Sequence, residues 1–177
     1  MSKGRLEAFS DGVIAIIITI MVLELRIPHT GEVDALRPLV PVFLSYVLSF
    51  VFLGIYWNNH HHLLQAARQV NGPILWANMN LLFWLSLVPF VTGWMGENQF
   101  AAWPVALYGV VLLLAGLAYF ILTRTLIRYH GEDSPLTRAI GNDVKGKMSL
   151  VLYVAAILLC TVNPWFAFFI YVLVDVI

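Results

Sequence analysis

The chain has 177 residues, of which 60% are apolar and only 11% are charged, and its mean hydropathy is +0.84. Ordinary soluble domains are about 25% charged, so this composition excludes a soluble protein and is typical of a chain embedded in a membrane. The formal net charge is zero and the sequence has no basic block, which argues against nucleic acid as a partner. The composition instead predicts the lipid bilayer as the first partner.

Six apolar stretches predict an all-α membrane protein with six transmembrane helices in a single domain, residues 1–177. The expected spans are 5–26, 39–66, 74–95, 100–127, 145–162 and 164–177. The first, fifth and sixth apolar stretches are shorter than the roughly 20 residues that a helix needs to cross lipid, so these spans must include flanking residues. The sixth stretch ends at Ile177 without a basic residue, and we therefore expect the native protein to continue beyond it.

Basic residues fall mostly on one side of these spans. If the six spans alternate in direction, Arg26 and Arg37 lie on one side and the other basic residues lie on the opposite side. Because cytoplasmic loops are enriched in Lys and Arg, we expect both termini and the loops around 65–73 and 124–147 to be cytoplasmic. The residues behind this expectation are Lys3, Arg5, Arg68, Arg124, Arg128, Arg138, Lys145 and Lys147.

The first span carries polar residues that lipid anchoring does not explain, since an ionisable group at membrane depth costs at least a few kcal/mol. On a helical wheel with about 100° per residue, Asp11 and Ser10 lie about 140° and about 120° from Ile16, on opposite sides. We therefore expect both to face neighbouring helices. An aliphatic stripe lies between them and consists of Gly12, Ile16, Ile20, Leu23 and Ile27. Thr19 lies at the edge of this stripe.

Two plainer interpretations of this span remain open. The stripe could pack against another helix or against lipid, since the span is apolar nearly all round. Asp11 lies near one end of the span, where a carboxylate could extend to water. The hydroxyl of Thr19 could face a pore or donate back to the carbonyl of Ala15, one turn earlier.

Spans two and three add hydrogen-bonding groups at the same membrane depth. Trp57 and His60 share a helix face at i,i+3, and Asn78 and Asn80 lie at the start of span three. The run of three histidines at 60–62 does not predict a metal site, because consecutive helix positions diverge by about 100°. The sequence also has no nucleophile with a nearby base, no HExxH pattern and no Gly-rich phosphate loop, so we expect neither an enzyme nor a cofactor.

Three of the spans resemble a known family. The run Arg5-x-x-x-Phe9-Ser10-Asp11, leading into an aliphatic helix with Thr19, resembles the signature of the transmembrane-protein-175 family of potassium channels. The stretch IYWNNHHHL in span two resembles the family's Trp-x-x-His pattern. In span three, NMNLLFWLSLVPFVTGW resembles its Asn-Leu and Leu-x-Pro-Phe elements.

The resemblance implies a potassium-permeable cation channel in the inner or plasma membrane of a prokaryotic cell. A single-repeat chain of this family would assemble as a homotetramer around a central pore lined by the first helix. The resemblance places the pore constriction at Ile16, Ile20 and Leu23, and implicates Thr19 in potassium preference. It also implies a set of residues that orients the first helix, namely Arg5, Phe9, Ser10 and Asp11 with Trp57, His60 and Asn80.

The chain lacks the Thr-Val-Gly-Tyr-Gly filter of ordinary potassium channels, so we expect only a modest preference for potassium. A proton-coupled secondary transporter, with Asp11 and His60 exchanging protons, is the main alternative. An inverted repeat or broken helices would favour that alternative, and we find neither in the sequence. An accessory membrane protein without transport activity is a third interpretation.

Overall fold

The structure is a computed structural model that describes residues 2–131, residue 137 and residues 144–176. All the regular secondary structure in this part of the chain is helical. Much of the polar stretch 128–147, including Arg138, lies outside the described residues. The helices are α1 (Lys3–Leu23), a 3₁₀ helix (Val33–Leu39), α2 (Val40–Ala66), α3 (Gly72–Ser86), α4 (Val88–Glu97), α5 (Ala102–His130), α6 (Val144–Leu159) and α7 (Pro164–Val176).

Four helical segments are long and apolar enough to cross a membrane. They are α1, the 3₁₀ helix with α2, the α3–α4 pair, and α5. Helix α6 has 16 residues and α7 has 13 residues, fewer than the roughly 20 that an untilted crossing needs. The chain is therefore an integral membrane protein with four segments of membrane-spanning length and two shorter helices at the end of its described part.

The segment that the sequence predicts as one continuous span, 74–95, is kinked. Leu87 separates α3 from α4, and Pro89 follows it. Proline has no backbone N–H, and its ring clashes with the carbonyl four residues earlier, here that of Leu85. The Leu87 amide still donates to the Trp84 carbonyl at 3.2 Å, and the Val91 amide donates to the Leu87 carbonyl at 3.2 Å. The break is therefore a proline kink without an unwound segment.

Contacts at the two ends of the bundle indicate that the four membrane-length segments alternate in direction. At one end, the Lys3 ammonium donates to the Ala67 carbonyl at 3.0 Å, and the Arg68 amide donates to the His130 ring at 3.0 Å. We call this the N-terminal end of the bundle. At the opposite end, Arg26 pairs with Glu97 at 2.9 Å.

The core forms around α5, which packs against α3, α4, α6 and α7. Small residues allow two close approaches. Gly109 of α5 lies against the hydroxyl of Tyr171, and a Cβ on Gly96 of α4 would lie 2.7 Å from the Cα of Val42 in α2. Helix α1 packs against α2, α3 and α4, which leaves its remaining surface exposed in the single chain.

Candidate functional site

Helix α1 has one buried face and one exposed face. The buried face consists of Leu6, Ser10, Ile14, Ile17 and Met21. On the other face, the exposed fractions are 61% for Ile16, 42% for Ile20 and 76% for Leu23. Together with Gly12, which is also exposed, they form the part of the aliphatic stripe that lies on α1, and Thr19 is exposed beside it. Ile27, which the wheel places on the stripe, lies beyond the end of α1 and is 85% exposed. An apolar face of this extent is covered by lipid or by another protein surface.

Thr19 makes the hydrogen bond within the helix that was one of the two arrangements the sequence left open. Its hydroxyl donates to the Ala15 carbonyl at 2.9 Å, and the residue is nevertheless exposed beside the stripe. A hydroxyl has one proton and two lone pairs. Because the proton is used within the helix, the lone pairs of the oxygen remain available to a group outside it.

Three polar contacts join the first half of α1 to the last part of α2. On each helix the contacting residues are four positions apart, which is about one helical turn. The two helices are antiparallel, so the three contacts lie one above another, and we call them the polar ladder. The contacts are Lys3 Nζ to the Gln65 carbonyl at 3.2 Å, His61 Nδ1 to Glu7 Oε1 at 2.9 Å and Trp57 Nε1 to Asp11 Oδ1 at 3.0 Å.

A second set of contacts, which we call the buried triad, joins α1, α2 and α3. The Asn78 side-chain amide donates to Ser10 Oγ at 2.9 Å, and Asn78 Oδ1 lies 2.7 Å from His60 Nε2. The Ser10 hydroxyl in turn donates to the Leu6 carbonyl at 2.9 Å. All three side chains of the triad are at most 1% exposed. Because an amide oxygen only accepts, His60 donates from Nε2.

Some of the residues predicted to orient the first helix contact neighbouring helices in the structure, and others do not. Asp11 contacts Trp57, and Ser10 is linked to His60 through Asn78. Within the described part of the single chain the Asn80 side chain makes no hydrogen bond, whereas Asn78 bonds to both Ser10 and His60. Two positions along a helix differ by about 200°, so only one of these two asparagines can face α1.

Arg5 and Phe9 also lie away from the neighbouring helices of the subunit. Both are exposed, and the Arg5 side chain has no hydrogen bond or ion pair within the described part of the chain. Arg5 precedes Ile16 by eleven residues, close to three full helical turns, which explains why it lies on the same face as the stripe. The expectation that Arg5 contacts α2 or α3 is therefore not met in the single chain.

Sequence reasoning missed Lys3, Glu7, His61 and Gln65 as members of the polar ladder. A signal for them is present in the sequence, because polar residues recur at 3, 7 and 11 and again at 57, 61 and 65. Matching i,i+4 patterns on two consecutive helices predict an antiparallel pair with side chains in contact. The three adjacent histidines diverge, and no group of His, Cys, Asp or Glu within the described residues could hold a metal ion.

The fold and this site define a helical integral membrane protein whose first helix is fixed on one face by polar contacts. A family model described as "Endosomal/lysosomal potassium channel TMEM175" matches residues 5–89. A potassium channel of Chryseobacterium sp. (strain P1-3) is 52% identical over 177 residues, which cover 100% of this chain and 92% of that relative.

Two further relatives agree with this assignment. A potassium channel of Streptomyces collinus is 33% identical, over 77% of this chain and 73% of the relative. The crystal structure of a lysosomal potassium-selective channel TMEM175 homologue from Chamaesiphon minutus has a TM-score of 0.84 and 27% identity, covering 98% of this chain and 94% of that one. The chain belongs to the TMEM175 family and is one of its prokaryotic members.

The family also includes longer animal proteins. The endosomal/lysosomal proton channel TMEM175 of Bos taurus is 31% identical over 183 residues, which cover 90% of this chain but only 37% of that relative. The prokaryotic relatives are therefore the closer guide to the architecture of this chain.

Proposed function

We propose that this chain is the subunit of a homotetrameric, potassium-permeable cation channel, with α1 from each subunit lining a central pore. Its prokaryotic relatives are described as potassium channels, which supports potassium as the permeant ion. The observation that carries the proposal is the division of α1 into two faces. One face is fixed by polar contacts to α2 and α3, and the other presents an aliphatic stripe to the outside of the subunit.

In this proposal, Ile16, Ile20 and Leu23 form the constriction. Four copies of one aliphatic side chain make an apolar ring, and a narrow apolar ring blocks ions by losing its water. The three positions are about one turn apart, so the rings lie one above another along the axis. Their exposure in the single chain agrees with a place in an assembly interface or pore.

The polar ladder and the buried triad would set the rotation of α1. A helix held only by apolar contacts can rotate about its axis with little loss, because apolar burial is not directional. The hydrogen bonds that Trp57 donates to Asp11 and Asn78 donates to Ser10 fix one orientation. That orientation directs Ile16 away from the subunit core, towards the proposed axis.

Thr19, at the edge of the constriction, would contribute to the preference for potassium over sodium. Its oxygen keeps two lone pairs while its proton is donated to Ala15. Such an oxygen can replace one water of a partly dehydrated cation. One hydroxyl per subunit is a weaker site than a cage of backbone carbonyls, so we expect only a modest preference for potassium over sodium.

We further propose six membrane crossings at about the spans predicted from the sequence, with the N-terminal end of the bundle in the cytoplasm of a prokaryotic cell. The excess of Lys and Arg at that end supports this orientation. The short α6 and α7 would cross with the help of residues flanking them. No cofactor is needed for ion flux in this mechanism.

The decisive experiment compares Ile16→Asn with Ile18→Asn in vesicles that contain purified protein. Asparagine at position 16 places a polar group at the narrowest ring, so water enters and basal cation flux rises, with weaker discrimination between potassium and sodium. Ile18 is half-buried and packs against the core, so asparagine there lowers yield or leaves flux unchanged. Equal effects at both positions, or no rise for Ile16→Asn, would place the pore elsewhere.

The same vesicles separate the channel from its alternatives. A channel passes potassium down its gradient far faster than a carrier turns over, whereas a proton-coupled transporter using Asp11 and His60 shows saturable flux coupled to a proton gradient. An accessory protein shows neither. Determination of subunit number by mass measurement in the native detergent complex tests the tetramer separately, and a stable monomer or dimer would refute it.

A further inference from the structure

His130, the last residue of α5, makes hydrogen bonds with both ring nitrogens. Nδ1 lies 2.9 Å from the Leu126 carbonyl, and Nε2 accepts from the backbone amides of Arg68 at 3.0 Å and Gln69 at 3.3 Å. A carbonyl only accepts and a backbone amide only donates. These contacts therefore require a neutral ring with its proton on Nδ1 and a lone pair on Nε2.

Lys3 bonds to the end of α2 and to the first residue of the same loop. Its ammonium donates to the carbonyls of Gln65 at 3.2 Å and Ala67 at 3.0 Å, at the C-terminal end of α2. A cation is favoured there because the last carbonyls of a helix carry partial negative charge. The five residues 65–69, which end α2 and begin the α2–α3 loop, are thus hydrogen-bonded both to the start of α1 and to the end of α5.

We propose that Lys3 and His130 form a clamp on the α2–α3 loop that positions the start of the pore helix, and that protonation of His130 opens this clamp. A protonated ring carries hydrogen on both nitrogens, so Nε2 loses the lone pair that accepts from Arg68 and Gln69. The backbone N–H groups of Arg68 and Gln69 would then face the new N–H group at Nε2, and both hydrogen bonds to the loop would be lost. The naming of α1 as the pore helix rests on the proposed function.

Opening on protonation follows from the hydrogen-bond pattern of the His130 ring. Glu7 of α1 is already paired with His61. The other ionisable side chains that the described elements carry at this end lie on five elements of the fold. They are Lys3, Arg5 and Asp11 on α1, His62 on α2, Arg68 on the loop, Arg124, Arg128 and Tyr129 on α5, and Lys145 and Lys147 on α6.

The first test measures the clamp without ion flux. In purified protein labelled with ¹⁵N-histidine, we expect the His130 ring to have its proton on Nδ1 at about pH 8. Hydrogen exchange at the Arg68 and Gln69 amides, corrected for intrinsic rates, should become about tenfold faster at about pH 5.5, the effect of losing one hydrogen bond at each amide. The Ile74 amide, bonded to the Asn71 side chain at 3.1 Å, is the internal reference and should not change.

Two variants make this test specific. In His130→Gln the side-chain oxygen can accept near the position of Nε2 and does not titrate, so protection of both amides should persist across the pH range. His130→Ala should lose protection at every pH. His62→Gln is the matched control, because His62 is exposed on α2 and should leave the pH dependence intact. A proton on Nε2 at about pH 8, or exchange that stays equal across pH in the wild type, would overturn the clamp.

The second test concerns coupling to the pore. In vesicles, lowering the pH on the side of the N-terminal end should raise potassium flux by about fivefold or more in the wild type, and should leave it unchanged in His130→Gln. If exchange at Arg68 and Gln69 responds to pH but flux does not, the clamp exists without coupling to α1, and this part of the proposal is refuted. If no condition gives flux, the proposed function fails while the exchange result still stands.

Discussion

The buried triad gives the sharpest test of how α1 is held. Replacing Asn78 with alanine removes its bonds to Ser10 and His60, which join α3 to α1 and to α2. Hydrogen bonds between membrane helices are worth about 0.6 kcal/mol on average. His60 Nε2 would also keep a buried donor without a partner, which adds about 1–3 kcal/mol where the site cannot admit water. We therefore expect Asn78→Ala to lower the free energy of unfolding by about 1–3 kcal/mol.

The matched control is two residues away. Asn80 is half-buried and makes no side-chain hydrogen bond within the described residues, so Asn80→Ala should change the free energy of unfolding by less than about 0.5 kcal/mol. Reversible unfolding in mixed detergent measures both variants. A double-mutant cycle with Ser10→Ala and Asn78→Ala should give a coupling energy above about 0.5 kcal/mol. If Asn80→Ala destabilises the protein as much as Asn78→Ala, the assignment of the triad is wrong.

Three further predictions test other contacts. Asp11→Ala removes the acceptor of the Trp57 indole and should destabilise the protein by about 1.5–3 kcal/mol, without changing the potassium-to-sodium permeability ratio of assembled channels; a changed ratio would place the carboxylate in the ion path. Thr19→Val should lower that ratio, and an unchanged ratio would leave the hydroxyl with a role in helix packing alone. Gly96→Ala should destabilise the protein by about 1–3 kcal/mol in thermal or detergent unfolding, because α2 must shift. Gly93→Ala, where an added Cβ meets open space, should stabilise it by up to about 1 kcal/mol, and equal effects would contradict the close approach.

Sequence periodicity is sufficient to predict which side of α1 is polar and which is aliphatic. The wheel separates Ser10 from Ile16, and in the structure Ser10 is buried and Ile16 is exposed. The wheel of one helix contains no information about its neighbours, however. Whether Asn78 or Asn80 faces α1 depends on the rotation of α3, which is set by its packing against α5 and α1.

Other features could be predicted from the sequence, but only when two segments were compared with each other. The polar ladder follows from matching i,i+4 patterns on α1 and α2, and the kink at Leu87 follows from Pro89. The contact of His130 with the α2–α3 loop joins residues 62 and 61 positions apart. Neither residue type nor spacing indicates that contact, because it depends on where α5 ends relative to α2.

The distribution of contacts along α1 separates its two ends. Directional contacts are concentrated in the part of α1 up to Asp11, where Lys3, Ser10 and Asp11 bond to neighbouring helices or to their connecting loop. Beyond Asp11, the buried positions Ile14, Ile17 and Met21 pack through apolar contacts alone.

This difference matters for how a gate on α1 could move. Hydrogen bonds hold one geometry, whereas apolar packing tolerates small shifts and rotations because it is not directional. After α1 ends, the exposed pair between Arg26 and Glu97 adds little restraint, since surface ion pairs are worth about 0–1 kcal/mol. The proposed constriction at Ile16, Ile20 and Leu23 therefore lies on the half of α1 that can adjust while the first half keeps its register.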